Sequence, residues 1–266
     1  MASQPPSRLI GELTFPELRR QLKETSILCL PLGAIEQHGA HLPLNTDVIV
    51  AEGLTRRIIE GCGEKFDLWQ LPTIPLGLSR EHNWASGTLS LSIRSFTILL
   101  RDLAREIVRA LPTRNLAIIN GHGGNRGLLE NLLHELRGDF AFNPCVIHPF
   151  DLAKTETGPT FDVHGGKNET SVMLVLAPEL VRREMIERVE NPPDPKMVQE
   201  LIFARGATWP WRTDDPRLAH GGIIGGAQDA SSELGKAIID SLVRQAGAVF
   251  QRLLDNQKLM PGDAAR

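Results

Sequence analysis

The run Asn115-Leu116-Ala117-Ile118-Ile119-Asn120 constrains the fold most, because four consecutive apolar residues stand there with no polar alternation. A strand with one wet face alternates apolar and polar residues. An unbroken apolar run marks a strand covered on both faces, the habit of parallel sheets flanked by helices. The rest of the pattern agrees. Apolar β-rich runs at 26–31, 68–75 and 143–148 alternate with segments of helical character at 14–24, 46–62 and 92–110, as in a parallel sheet wrapped by helices. Thr14 caps the first helix, with Pro16 in its first turn, and Gly61 and Gly63 are expected to stop the second. In the third, Ile93, Phe96, Leu99, Leu100, Leu103 and Ile107 recur at helical spacing. Further helices are expected after the loop 121–125 to residue 137, over 168–176 with Asn168 as cap, and over 229–254.

A chain of 266 residues can bury one substantial core. One domain is expected over 1–266, with 1–7 and 259–266 as flexible tails. The stretch 191–226, rich in Pro, Gly and Trp, reads as an ordered excursion, a lid or a subunit contact, and carries Trp209 and Trp211. With 29 basic against 32 acidic residues, the net charge of -3 leaves no electrostatic footprint for nucleic acid or an anionic membrane. Neither partner is expected. No secretory signal is expected from the first residues, and no run reaches the roughly 18 apolar residues of a membrane helix. Three widely spaced cysteines, Cys29, Cys62 and Cys145, suit a reducing compartment. The expected location is the cytoplasm.

The chemistry concentrates in three clusters. The first, Glu36-Gln37-His38-Gly39-Ala40-His41-Leu42-Pro43-Leu44-Asn45-Thr46-Asp47, directly follows the apolar run Ile27–Pro31. Titratable groups of that density at the end of a buried strand cost free energy to desolvate unless they are paired or bind something. A divalent cation supplies that compensation, and Glu, His and Asp are ligands that zinc, manganese and iron accept. In extended chain, residues two apart point the same way, so Glu36 and His38 can share a site while Gln37 faces elsewhere. Taken singly, Asp47 reads as a helix-start carboxylate and His38 as a satisfied core histidine. Taken together, the three read as a metal site.

The second cluster, Asn120-Gly121-His122-Gly123-Gly124-Asn125, sits beyond the carboxyl end of a parallel strand, where open α/β sheets place ligands. A phosphate loop is the competing reading, but neither GxGxxG nor the P-loop pattern is present. The third is Asp162-Val163-His164-Gly165-Gly166-Lys167-Asn168-Glu169-Thr170-Ser171. In isolation Glu169 reads as a carboxylate favoured by the helix dipole. Beside the other clusters it becomes a further ligand, and His164 a proton carrier near neutral pH. Ser79, His82 and Trp84, on the loop after the second strand, are placed to touch substrate.

Together these clusters resemble the creatininase family of metal-dependent amidohydrolases. The resemblance rests on E-x-H-G-x-H-L-P…T-D at 36–47, N-G-H-G-G-N at 120–125 and H-G-G-x-x-E-T-S at 164–171. It extends to Gly77-Leu-Ser79-Arg-Glu81-His82…Gly87-Thr88, and so covers nearly the whole chain. It implies a three-layer αβα sandwich with a mostly parallel sheet, a metal site at the carboxyl ends of the strands, and a homo-oligomer, hexamers being common in the family. It also implies two divalent metal ions, zinc first, with manganese or iron as the alternatives. Carried onto this chain, Asp47 would bridge the two, Glu36 and His122 would hold one, and His38 the other. The creatinine-cleaving enzyme takes a further carboxylate two residues after the histidine of its NGH block, where this chain has Gly124. Glu169 is the carboxylate available to replace it. His164 matches the family's proton shuttle.

The expected activity is hydrolysis of an amide C–N bond in a small, cyclic substrate by metal-activated hydroxide. Ser79, His82 and Gly123 are the candidate substrate contacts. Gly123 stands where the creatinine-cleaving enzyme has a tyrosine, and this chain has no Tyr at all. That departure keeps a formamide hydrolase or a peptidase of the same family as the alternative. A non-catalytic small-molecule binding protein and a nucleotide-binding α/β protein are the remoter readings.

Overall fold

The computed structural model describes residues 7–153, 162–187, 194–204 and 206–259. The expected tails therefore fall almost wholly outside the described residues, as do 191–193 and 205 of the excursion.

Four parallel strands form one sheet in the order β2-β1-β3-β4, made of β1 (Ile27–Leu32), β2 (Leu68–Gln70), β3 (Asn115–Asn120) and β4 (Asn143–Ile147). The helices are α1 (Phe15–Gln21), α2 (Thr46–Phe66), α3 (Ile93–Ala110), α4 (Arg126–Phe140), the short α5 (Pro149–Leu152), α6 (Lys167–Leu176), the short α7 (Pro195–Val198) and α8 (Ser232–Lys258). Residue alternation along β1 and β3 builds two cores. Ile27, Cys29, Ala117 and Ile119 face α2, α6 and α8. Leu28, Leu30, Leu116 and Ile118 face α3 and α4. Every residue of β1 and β3 is buried. The sandwich is thus three-layered, and the unbroken apolar run of β3 has its explanation.

Two helix boundaries depart from the sequence reading. Helix α2 runs through Gly61 and Gly63 to Phe66 and ends at Asp67, whose φ of 50° is left-handed. The glycines serve close packing instead of termination: a Cβ at Gly61 would lie 2.4 Å from Val243 Cγ1 of α8, and one at Gly63 3.1 Å from Arg8 Cδ. Asn168 lies inside α6 and does not cap it. Asp162 takes that role, accepting from the backbone N–H of Lys167 at 2.7 Å and of Asn168 at 2.5 Å. In α3 the buried side is Phe96, Leu100, Ala104 and Ile107, while Ile93 and Leu99 are exposed. The excursion is ordered where described. Val198, Leu218, Ala219 and Ile224 form a small third core, with Trp211 against it.

Register places the chemistry. Leu32 pairs with Asn120 at the carboxyl ends of β1 and β3, so the loops bearing Glu36 and His122 leave the sheet side by side. The first turn of α2 enters the gap between them. Glycine permits that approach: a Cβ at Gly33 would lie 2.7 Å from Val48 N, and one at Gly121 2.5 Å from the Asp47 carbonyl oxygen. Asp47 is delivered between the two loops for this reason.

Candidate metal centre

The three separated sequence clusters converge. Glu36, His38, Asp47, His122 and His164 are all buried at the end of the sheet. Asp47 spans two imidazoles, with Oδ1 3.2 Å from His38 Nε2 and Oδ2 3.2 Å from His122 Nδ1. Glu36 Oε1 lies 3.2 Å from His122 Nδ1, 3.3 Å from His82 Nε2 and 3.4 Å from His164 Nδ1. Glu169 Oε2 stands 3.9 Å from His38 Nε2 and is held by the Gly165 backbone N–H at 2.6 Å. The imidazoles of His38, His164 and His82 stack in series, with centroids 4.3 and 4.1 Å apart.

Three histidines are oriented by backbone carbonyls. His38 Nδ1 meets the Glu36 carbonyl at 3.1 Å, His122 Nε2 that of Leu78 at 2.5 Å, and His164 Nε2 that of Gln37 at 2.6 Å. In each case the other ring nitrogen faces the carboxylates. Fixing one imidazole nitrogen so that its partner presents a lone pair is how proteins orient histidine toward a metal.

The donor set fits divalent cations. Both oxygens of Glu36 and Oδ2 of Asp47 are buried without a hydrogen-bond partner, a costly state for ionised groups unless a cation faces them. Ligand atoms of Glu36, Glu81 and His122, of His38, Asp47 and Glu169, and of Glu36, His38 and His164 each gather within 4.8 Å of one another. The first two groups define two adjacent positions flanking Asp47.

Electrostatics tell the same story in the protein without cations. Burial pushes the Glu36 carboxyl up, with Asp47 adding to the shift and His122 opposing it. Burial also lifts Glu169 to about 7, against the pull of His38. Asp47 goes the other way: His38 and His122 overcome its burial and hold it below the usual carboxylate range. Burial alone would lower His38 and His122. Asp47 lifts His38 to about 9, and Glu36 with Asp47 raises His122 well above its ordinary value. His82 falls to about 3, through burial and then the nearby His122 and His38, and burial with His38 also holds His164 well down. Clustered opposing shifts of this size mark functional sites.

The candidate substrate contacts divide. Gly123 is exposed, with open space around the position of a Cβ. His82 is buried inside the centre. Ser79 is also buried, its Oγ 3.5 Å from His122 Nε2, so it backs that ring from behind. Trp84 and Trp209 are exposed, and Trp84 Nε1 donates to Thr213 Oγ1 at 2.9 Å. Sequence reasoning missed three residues. Glu81 brings Oε1 to 3.6 Å from His122 Nε2. Gln37, facing away from the carboxylates as expected, packs against His82 and His164. Thr213 reaches in from the excursion to His82 Nδ1 at 2.9 Å. Only Glu81 left a signal, standing next to a named histidine.

Comparison with known proteins follows the same line. A creatininase family model, described as creatinine amidohydrolase, matches residues 11–250. The chain is 32% identical over 244 residues to the mycofactocin precursor peptide peptidase of Mycobacterium tuberculosis, covering 88% of each. It is 30% identical over 264 residues to the creatinine amidohydrolase of Pseudomonas putida, covering 90% of this chain and 94% of that one. Among solved structures, a manganese creatininase superposes with a TM-score of 0.75 at 28% identity, covering 93% and 98% of the two chains. A mutant creatininase of Zn-Zn type gives 0.76 at 28% identity, covering the same shares.

Proposed function

This chain belongs to the creatininase family of amidohydrolases, and from that premise we propose that it cleaves an amide C–N bond in a small, cyclic substrate. One cation would be held by Glu36 and His122, the other by His38 and Glu169, with Asp47 bridging. The observation that carries this reading is Asp47 facing one imidazole with each oxygen while its Oδ2 lacks any hydrogen bond. Cations held there would supply a more acidic water and a polarised amide carbonyl. The remaining work falls to the chain itself. His164, with Nε2 committed to the Gln37 carbonyl, offers Nδ1 as acceptor for the proton of the attacking water and returns it to the leaving nitrogen. The burial of the reacting groups keeps bulk water from them, which suits a compact amide or a chain end.

A second reading is supported by the 32% identity to a peptide peptidase and by the open rim at Gly123: the amide belongs to the terminal part of a peptide. The experiment is purification without chelator, metal quantification, and assay of the reconstituted protein against creatinine and other lactams, formamides and short peptides. Metal-dependent turnover of a lactam supports the first reading, and turnover confined to peptides moves the assignment to the second. Fully metal-loaded protein inert on the whole panel overturns both.

A further inference from the structure

Four histidines crowd this centre, and their outer hydrogen bonds sort them into two kinds. A carbonyl oxygen can only accept, so the ring nitrogens of His38, His122 and His164 that face backbone carbonyls carry the proton. Their other nitrogens present lone pairs to the site. His82 has a different setting. Its Nδ1 meets Gln37 Nε2 at 3.0 Å and Thr213 Oγ1 at 2.9 Å.

The orientation of the Gln37 amide decides which tautomer His82 adopts, and two backbone groups fix that orientation. Gln37 Oε1 accepts the Gly39 N–H at 2.9 Å, and Gln37 Nε2 donates to the Gly222 carbonyl at 2.8 Å. The group turned toward His82 Nδ1 is therefore an NH2, which can only donate. His164 Nε2 also lies 3.1 Å from this nitrogen, but its proton is committed to the Gln37 carbonyl at 2.6 Å. Thr213 supports the same assignment. Its Oγ1 accepts from Trp84 Nε1 at 2.9 Å, and of the two acceptors within reach of its hydroxyl proton, His82 Nδ1 at 2.9 Å lies nearer than the Glu81 carbonyl at 3.3 Å. His82 Nδ1 must accept, so its proton sits on Nε2, on the side of Glu36 Oε1 3.3 Å away.

We propose that Gln37, backed by Thr213, holds His82 as the Nε2–H tautomer, and that His82 donates this hydrogen bond to the carbonyl oxygen of the amide substrate. The inference rests on the amidohydrolase reading for its second half only. The division of labour follows: His164 accepts a proton, His82 donates a neutral hydrogen bond, and Gln37 is a positioning residue that acts through His82. As the carbonyl carbon turns tetrahedral, charge grows on its oxygen, and a preoriented N–H in a dry site stabilises that charge more than it does the ground state.

The test separates the two halves. Selective 15N labelling of histidine in the zinc-loaded protein, with His82 assigned by its absence in His82→Leu, reads the tautomer directly. The expected result is an Nε2-protonated ring. Gln37→Glu places an acceptor opposite Nδ1 and should move the proton to Nδ1; if that variant does not fold, the near-isosteric Gln37→Met should leave a tautomer mixture. An Nδ1-protonated His82 in the unaltered protein, or a tautomer indifferent to residue 37, overturns the positioning role whatever substrate is found. On the substrate that turns over best, His82→Leu should lower kcat by about 10²–10³-fold, the usual loss of one oxyanion donor, with KM and metal content nearly unchanged. His82→Gln, which keeps an N–H donor, should recover part of that loss. Loss of metal in His82→Leu, or a change confined to KM, overturns the donor role. Inactivity of the unaltered protein on every amide strikes the amidohydrolase reading and the donor role with it, while the tautomer result stands.

Discussion

Asp47 and His122 face each other across 3.2 Å, Oδ2 to Nδ1, and that oxygen makes no hydrogen bond. The other oxygen of Asp47 stands at the same distance from His38 Nε2. One carboxylate therefore ties together two imidazoles from different loops, and each imidazole has a further carboxylate of its own, Glu36 or Glu169. Asp47→Ala should remove metal from both positions, whereas Glu169→Ala should remove it from the His38 side alone. Metal counting on the purified variants checks this. Activity of Asp47→Ala should fall by more than the roughly 10–100-fold that loss of a ligand's supporting partner costs. Retention of both cations by Asp47→Ala would remove the bridging assignment.

Chelation should destabilise the protein, and the size of the effect should depend on pH. Ligand binding to the native state stabilises it by about 4 kcal/mol at a thousandfold excess over Kd, and in a domain of this size each kcal/mol moves Tm by about 2–4 °C. In the metal-free protein His38 is raised from 6.5 to about 9, with Asp47 overcoming its burial. A raised histidine contributes stability that is complete below its unfolded value and is lost as pH climbs through its folded value. The chelated protein should lose Tm between about pH 6.5 and 9. Glu169, raised from 4.5 to about 7 by burial, acts in the same direction over a lower window. Bound cations need both groups deprotonated, so the loaded protein should hold or gain Tm over that interval. Differential scanning fluorimetry with and without chelator decides it: parallel curves would show that no cation engages His38.

Gly124 carries a second prediction about ligands. A Cβ there would lie 2.4 Å from the Leu78 carbonyl oxygen and 2.5 Å from both Glu81 Oε1 and His122 Nε2. The Leu78 carbonyl is the group that orients His122. This site cannot accept a carboxylate at 124 without disturbing His122, and the ligand proposed in its place, Glu169, stands beside His38 instead. Gly124→Glu should therefore fail to rescue Glu169→Ala and should itself weaken metal binding. Recovery of two cations in the double variant would refute the steric argument.

Much of this was legible in the chain. The strand Asn115–Asn120 was readable to the residue because an unbroken apolar run has one structural use at that length. Glu36, His38, Asp47 and His122 were readable because so many titratable groups at a strand end need a common explanation. The far end of α2 was not, because Gly61 usually ends a helix and here makes room for Val243, a contact 182 positions away in sequence. Gln37 and Thr213 were illegible for a related reason: an amide and a hydroxyl carry no chemical signature until folding places them against His82. The cap of α6 was misread because Asn168 is a good cap by type, while Asp162, six residues earlier, wins by charge and reach.

That last substitution of roles yields the sharpest separation of stability from function. Asp162 accepts the N–H groups of Lys167 and Asn168 at the start of α6, in the same turn from which Glu169 comes within 3.9 Å of His38. Removing a capping side chain costs about 0.5–2 kcal/mol, so Asp162→Ala should lower Tm. Ser92 is the matched control. Its Oγ accepts the Ser95 N–H at 3.0 Å at the start of α3, on the face of the sheet opposite α6. Ser92→Ala should lower Tm by a similar amount, since the lost interaction is of the same kind. Only Asp162→Ala should also weaken the cation on the His38 side, because a frayed first turn of α6 lets Glu169 drift. Titration of the metal-free variants with zinc reads this difference, and equal zinc affinity in the two would mean that Glu169 is held by something other than its helix cap.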